Sequence, residues 1–169
     1  IALNILAAEK TYADYAFEVT NPGGHSSRPV PDNAIYRLVR AVGRVSHYEF
    51  PVQLNDANRG YFSEMATVAG GADGAAMAAI VHDPHDAAAA AVLDKNPLWH
   101  AMLRTTCVAT MLSAGHATNA LPQRATANIN CRIFPGVSRE AILEQLRRIA
   151  DDPAVKATIT GNPGPVPPV

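Results

Sequence analysis

Three short segments concentrate the side chains able to do chemistry. Gly23-Gly24-His25-Ser26-Ser27-Arg28-Pro29 sets an imidazole in a glycine-rich turn after a strand-like stretch. The paired glycines allow backbone angles that other residues avoid, so a ligand can approach. Ser26 and Ser27 can hold the ring by hydrogen bonds, and an imidazole so placed can donate to a carbonyl or an oxyanion. Thr118-Asn119-Ala120-Leu121-Pro122 places an amide in a loop between two strands, locked by the proline. It can bond a substrate carboxylate, or only its own backbone as turn asparagines do. In Asn130-Cys131-Arg132-Ile133-Phe134-Pro135-Gly136, Arg132 lies on the polar face of a strand. A guanidinium suits two-pronged recognition of a carboxylate, and suits equally a pairing with an acidic neighbour such as Glu18. Taken singly, a turn histidine without a task and an ordinary turn asparagine are the plainer readings of His25 and Asn119, while Arg132 stays open.

Other reactive side chains carry less. His82, Asp83, His85 and Asp86 form a small His/Asp cluster. Two histidines three apart can share a helix face and bind metal, but Pro84 between them reads as a helix start and the cluster as surface charge. His47, His100 and His116 are isolated. Cys107 and Cys131 each fall in an apolar strand pattern without metal-type spacing. They read as buried small hydrophobes in preference to a disulfide, although adjacent strands could bring them together.

The elements that must position these residues follow from periodicity. Tyr15, Phe17 and Val19 alternate with Asp14, Ala16, Glu18 and Thr20, a half-buried strand that Asn21-Pro22-Gly23-Gly24 ends. Pro31-Asp32 opens a helix with Ile35, Leu38, Val39, Val42 and Val45 at helical spacing. From about Asn55 to Lys95 the chain is alanine-rich with glycine punctuation, which predicts two or three short helices, one starting at Asp83-Pro84. Cys107, Ala109 and Met111 alternate in a second strand. Thr126 to Phe134 forms a third, with Ala127, Ile129, Cys131 and Ile133 on one face and Asn128, Asn130 and Arg132 on the other. Ser138 caps a last helix buried through Ile142, Leu146 and Ile149, and Val155 to Thr160 is a final strand. Setting the insert aside, strand, helix, strand, strand, helix, strand is an α+β, ferredoxin-like antiparallel four-stranded sheet with two helices on one face. One domain over 12–160 is expected, with a helical insert at about 55–100 and a proline-rich linker at 161–169.

The bulk properties exclude several classes. The chain has 169 residues, 48% hydrophobic and 17% charged, so it can bury a core and is not disordered. Its formal net charge of −1 predicts no general attraction to nucleic acid or to an anionic membrane. No apolar run approaches the ~20 residues of a membrane-spanning helix. Ile1 to Lys10 is apolar but lacks a preceding basic region, so it is not read as a signal peptide. With no targeting segment recognised, a cytoplasmic location is the default. The missing initiator Met fits a piece of a longer protein.

Taken together and in this order, the Gly-Gly-His-Ser-Ser, Thr-Asn-Ala-Leu-Pro and Asn-Cys-Arg-Ile-Phe-Pro-Gly segments resemble the di-zinc aminoacylase/carboxypeptidase metallopeptidases, and within them the inserted dimerisation, or lid, domain. Leu103-Arg104-Thr105-Thr106, Thr110-Met111 and Ala114-Gly115 before Asn119 look most similar to the carboxypeptidase-S and N-acyl-amino-acid hydrolase branch. The resemblance implies that His25 reaches into the partner subunit's active site and stabilises the tetrahedral intermediate. It implies that Asn119 contacts the substrate, and that Arg132 binds the free carboxylate of a peptide or N-acyl amino acid. It implies a homodimer, with two zinc ions held by a separate catalytic domain that this chain lacks. No His-x-Asp pair of the required kind and no Glu-Glu pair occurs in the sequence, so the expectation is that the chain alone holds no cofactor and is inert. Edge strands of such a sheet can pair across a two-fold axis, unless the insert covers that edge and favours a monomer. The rival reading is a stand-alone ferredoxin-like regulatory module that binds small carboxylates.

Overall fold

The computed structural model describes residues 9–161. In chain order its elements are β1 (Thr11–Thr20), β2 (Gly24–His25), α1 (Ala34–His47), α2 (Asp56–Ala69), α3 (Gly71–His82), α4 (Ala87–Leu93), α5 (Pro97–Leu103), β3 (Thr106–Ala114), β4 (Ala120–Leu121), β5 (Arg124–Ile133), α6 (Arg139–Ala150) and β6 (Lys156–Thr160). They fall into two compact units. Among the described residues, one comprises Lys10–Glu49 with 107–161, and the other comprises Phe50–Thr106.

The first unit holds a four-stranded sheet in the order β3-β5-β1-β6. Antiparallel pairing runs from Thr11 opposite Ile133 to Thr20 opposite Arg124, and β6 flanks β1 from Asp14 opposite Thr160 to Glu18 opposite Lys156. The period of two predicted for β1 and β5 sorts their side chains cleanly. Ala13, Tyr15, Phe17 and Val19 with Ala125, Ala127, Ile129 and Ile133 are buried. Leu38, Ala41 and Val45 of α1 and Ile142, Leu146 and Ile149 of α6 complete that core. Full burial of one such side chain as Phe17 contributes roughly 1.5–3 kcal/mol. The opposite face keeps Tyr12, Asp14, Ala16, Glu18, Asn128, Asn130 and Arg132 at least partly open. The α+β architecture and its four-stranded sheet are thus as the sequence predicts.

Helix ends also follow local chemistry. The Asn33 side chain accepts from Tyr36 N–H, so α1 starts at Ala34, slightly beyond the Pro31-Asp32 signal. Ser138 caps α6 through Ala141 N–H, as predicted. Arg37 bridges Asp32 and Asp152, tying the approach to α1 to the end of α6.

One expectation about this unit needs correction. Cys107 and Cys131 are not separate small hydrophobes; they form a disulfide, with Cα atoms 4.1 Å apart. The reason is sheet order: β3 and β5 are hydrogen-bonded neighbours, and periodicity along one strand carries no information about which strand lies beside it. β3 itself forms as an edge strand exposed from Val108 to Ala114, so the alternation of Cys107, Ala109 and Met111 sorts no buried face there.

The second unit is helical. Between Asn55 and Lys95 it contains three helices, within the two or three predicted there, and α5 adds a fourth from Pro97. Asn55 and Asn58 form a reciprocal capping box at the start of α2. The expected start at Asp83-Pro84 is a turn; α4 begins at Ala87, where the Asp86 carboxylate accepts from Ala88 and Ala89 N–H. Phe62, Met77, Ile80, Leu93 and Leu103 are fully buried. At Gly74 of α3 an added Cβ would collide with the Ala66 carbonyl of α2, so this helix pair needs glycine there. Asn58 Nδ2 donates to Gln53 O and to Met102 O, each at 3.0 Å, and Gln53 N donates to Leu103 O at 2.7 Å. These bonds fasten the two ends of the unit together. The Arg104 side chain, almost wholly buried, pairs with Asp94 at 2.9 Å, and Asp94 also faces His100 Nδ1 at 3.0 Å.

The predicted linker lies outside the described residues from residue 162 on, as does the apolar start over residues 1–8.

Candidate functional site

His25 lies on β2, which pairs with β4 as a two-stranded ribbon: Gly24 faces Leu121 and His25 faces Ala120. Ser26 N donates to Asn119 O at 3.0 Å, so the histidine turn and the asparagine loop are joined backbone to backbone. Asn21 N to Gln123 O at 2.8 Å continues the pairing back toward the sheet. Gly23 makes this entry turn possible. Its φ of +79° suits glycine, and an added Cβ would stand 2.6 Å from Gln123 Cγ. Both His25 and Asn119 are exposed. His25 Nδ1 is held by Ser27 Oγ at 2.8 Å and by Ser27 N–H at 3.2 Å, which bears out the expected serine contact for Ser27.

Arg132 stands elsewhere. It faces Tyr12 across the β1–β5 pair, and its guanidinium carbon lies 4.9 Å from the Tyr12 ring centre. The ribbon leaves the sheet beyond the Thr20–Arg124 pair. Eight strand residues at ~3.3 Å each separate the two positions, roughly 26 Å. One chain therefore brings His25 and Asn119 together and leaves Arg132 at the far end of the sheet. Glu18, the carboxylate weighed as a partner for Arg132, pairs with Arg124 instead. Among the described residues Arg132 makes no hydrogen bond or ion pair, so its donors are available to a ligand.

Around Arg132 the open face carries a polar network that single-residue reasoning missed. Asp14 accepts from Asn128 and Asn130, each at 2.9 Å, and from the Tyr12 hydroxyl. Partial burial alone would raise the Asp14 pKa. The hydrogen bonds from Asn130, Tyr12 and Asn128, with the charge of Arg132, outweigh it and hold the carboxyl below its usual range. The bond to Asp14 in turn raises the Tyr12 hydroxyl. Lys10, two residues before Tyr12, has its pKa lowered to about 8 by burial and by Arg132. The available signal was parity: residues 10, 12 and 14 share one face, as do 128, 130 and 132.

Among the described residues no group of three or more His, Cys, Asp or Glu side chains is placed to hold a metal ion. The His82–Asp86 cluster serves local structure. Asp83 accepts from His85 N–H at 2.9 Å and Asp86 caps α4. The described residues thus do not fit a zinc centre. No helix among them is long and apolar enough to cross a membrane.

The sequence profile of the peptidase dimerisation domain of the M20 peptidases matches residues 7–158. The chain belongs to the M20 peptidase dimerisation domain family. Two curated relatives of this M20 domain are a probable carboxypeptidase S-like 2 of Dictyostelium discoideum and an N-fatty-acyl-amino acid synthase/hydrolase, PM20D1, of Mus musculus. The first is 30% identical over 94% of the chain and 30% of the relative, the second 27% identical over 96% of the chain and 32% of the relative. The M20 domain thus spans about a third of the curated relatives it matches. Among solved structures, the M20 family metallo-carboxypeptidase Sso-CP2 of Sulfolobus solfataricus matches with a TM-score of 0.54 at 14% identity, covering 89% of this chain and 42% of that one. At that identity the likeness concerns the fold of the M20 domain alone.

Proposed function

We propose that this chain is the dimerisation and substrate-contact lid of a zinc-dependent peptidase or amidohydrolase that cleaves an amide beside a free carboxylate, in peptides or N-acyl amino acids. The observation that carries the reading is the division of the site. His25 and Asn119 share one ribbon, while Arg132, with its guanidinium available, stands roughly 26 Å away on the open sheet face. A complete substrate site then draws on two copies. One protomer supplies His25 to the scissile carbonyl and Asn119 beside it; the other supplies Arg132 to the carboxylate. Zinc would be held outside the described residues, and the chain alone would be inactive. The relatives, an N-fatty-acyl-amino acid synthase/hydrolase and a carboxypeptidase S-like protein, support this substrate class.

The edge strand supports the pairing. Val108, Met111 and Leu112 on β3 are 57%, 70% and 58% exposed, and Tyr36 and Val39 on α1 are also more than half exposed. An apolar edge with unpaired backbone groups is a template for a second strand, and a two-fold axis lets two copies of it meet. We expect sedimentation equilibrium to give a homodimer and Met111→Lys to shift it toward monomer. In the intact enzyme, His25→Ala and Arg132→Ala subunits should each be inactive and should recover activity when mixed. A strictly monomeric chain, or no recovery on mixing, sinks the shared-site reading.

A further inference from the structure

His25 is held by one contact whose direction is not negotiable. A backbone N–H can only donate, and Ser27 N–H points at His25 Nδ1 at 3.2 Å. Nδ1 must therefore be the acceptor. The Ser27 hydroxyl, 2.8 Å from the same nitrogen, then donates as well. A neutral imidazole carries one proton, and with Nδ1 engaged as acceptor that proton sits on Nε2. Two further bonds keep the geometry. Arg28 N donates to His25 O at 3.0 Å and closes the turn, and Ser26 N donates to Asn119 O at 3.0 Å and anchors it to β4.

We infer that Ser27 is a positioning residue for His25, fixing the ring as the neutral Nε2–H tautomer, so that its exposed nitrogen is a donor only. This rests on the proposed role of His25 and specifies the ligand chemistry at that position. Nε2–H accepts a partner with a lone pair: an amide carbonyl, a carboxylate oxygen or a developing oxyanion. It repels an ammonium or amide N–H presented in the same place, because two donors then face each other. The ring does not serve as a base at Nε2, and it stabilises charge on oxygen without a proton having to move first.

Long-range ¹H–¹⁵N correlation of the imidazole nitrogens in the 169-residue chain tests this, since pyrrole-type and pyridine-type nitrogens resonate far apart. The expected spectrum has a pyridine-type Nδ1 and a pyrrole-type Nε2 for His25. Ser27→Ala keeps the backbone N–H and removes only the hydroxyl, so both signals should move part of the way toward the average of the two tautomers and Ser27→Thr should restore them; Ser27→Pro, which removes the N–H as well, should complete the shift. A pyrrole-type Nδ1 in the unaltered chain, or signals indifferent to Ser27→Pro, overturns the inference. The unaltered chain suffices for the first of these outcomes, so the test survives a variant that folds poorly. Failure of the underlying His25 role is distinct: it is read from subunit mixing, which can fail while the tautomer stands as inferred.

Discussion

His25 and Arg132 stand at opposite ends of one sheet unit and owe their positions to different forces. The histidine is set by short-range hydrogen bonds in a ribbon of two-residue strands, and its neighbours are exposed. The arginine projects from near the end of a ten-residue pair of strands whose reverse face is buried. A turn of that kind costs little to deform, whereas a central strand moves only with its core. The comparison teaches that the Arg132 end is rigid by construction and the His25 end by local bonding alone. An exposed ribbon is well suited to being completed by contact with a second copy.

The comparison can be tested from its largest expected effect to its smallest. Phe17→Ala opens the core under β1 and should cost roughly 3–5 kcal/mol in urea denaturation. The Arg132 end should loosen with it, seen as faster amide exchange in β5. Removing the Cys107–Cys131 bond should cost roughly 2–4 kcal/mol, measured as the difference in midpoint with and without reductant. A thiol titration of the unreduced, unfolded protein should find no free cysteine. Gly23→Ala should strain the turn by roughly 1–3 kcal/mol, but locally: Ser26 N–H should lose protection while the denaturation midpoint stays near that of the parent chain. Equal loss in both would show that ribbon and sheet are one cooperative unit. Tyr12→Leu removes the ring beneath Arg132, worth roughly 0.5–1 kcal/mol at an exposed site. Binding of an N-acyl amino acid should weaken a few-fold, with stability nearly unchanged.

The last test is a titration of a partly exposed group, whose effect on stability solvent screening keeps small. The Lys10 pKa is lowered to about 8, so its charged form is disfavoured in the fold. That penalty is in force below about pH 8 and disappears as pH rises from there toward the unfolded lysine value near 10.4. Stability should therefore gain slightly over that range. Direct ¹⁵N detection of the Lys10 ammonium should give a midpoint near 8, and a midpoint near 10.4 would remove Lys10 from the cationic end of the sheet.

Much of this molecule was legible in the sequence because its central strands obey strict alternation. Phe17 and Ile129 had to face inward, and Asn128, Asn130 and Arg132 had to share the other side. Ser138 marked the start of α6 because its side chain satisfies a backbone donor three residues on, whereas the caps Asn33, Asn55, Asp86 and Asn96 were not read from the sequence. What stayed hidden depends on contacts distant in sequence. The Cys107–Cys131 bond requires knowing that β3 lies beside β5. The Asp14 network requires the register that sets Asp14 opposite Asn130. The β2–β4 ribbon is too short to show any period, yet it unites His25 with Asn119. Residues 50–106 were the least readable because α3 and α4, with ten alanines in nineteen residues, carry too few polar side chains to mark a face.

The fastening at the neck of that helical unit has a consequence for how such a chain can change over generations. Asn58 and Gln53 tie the entering and departing strands of polypeptide within a few ångströms of each other. A segment that begins and ends at one spot can be lengthened, trimmed or exchanged as a cassette, because the flanking chain sees the same two attachment points whatever lies between. Exchange of such a cassette would leave the register that aligns Tyr12 with Arg132 as it is.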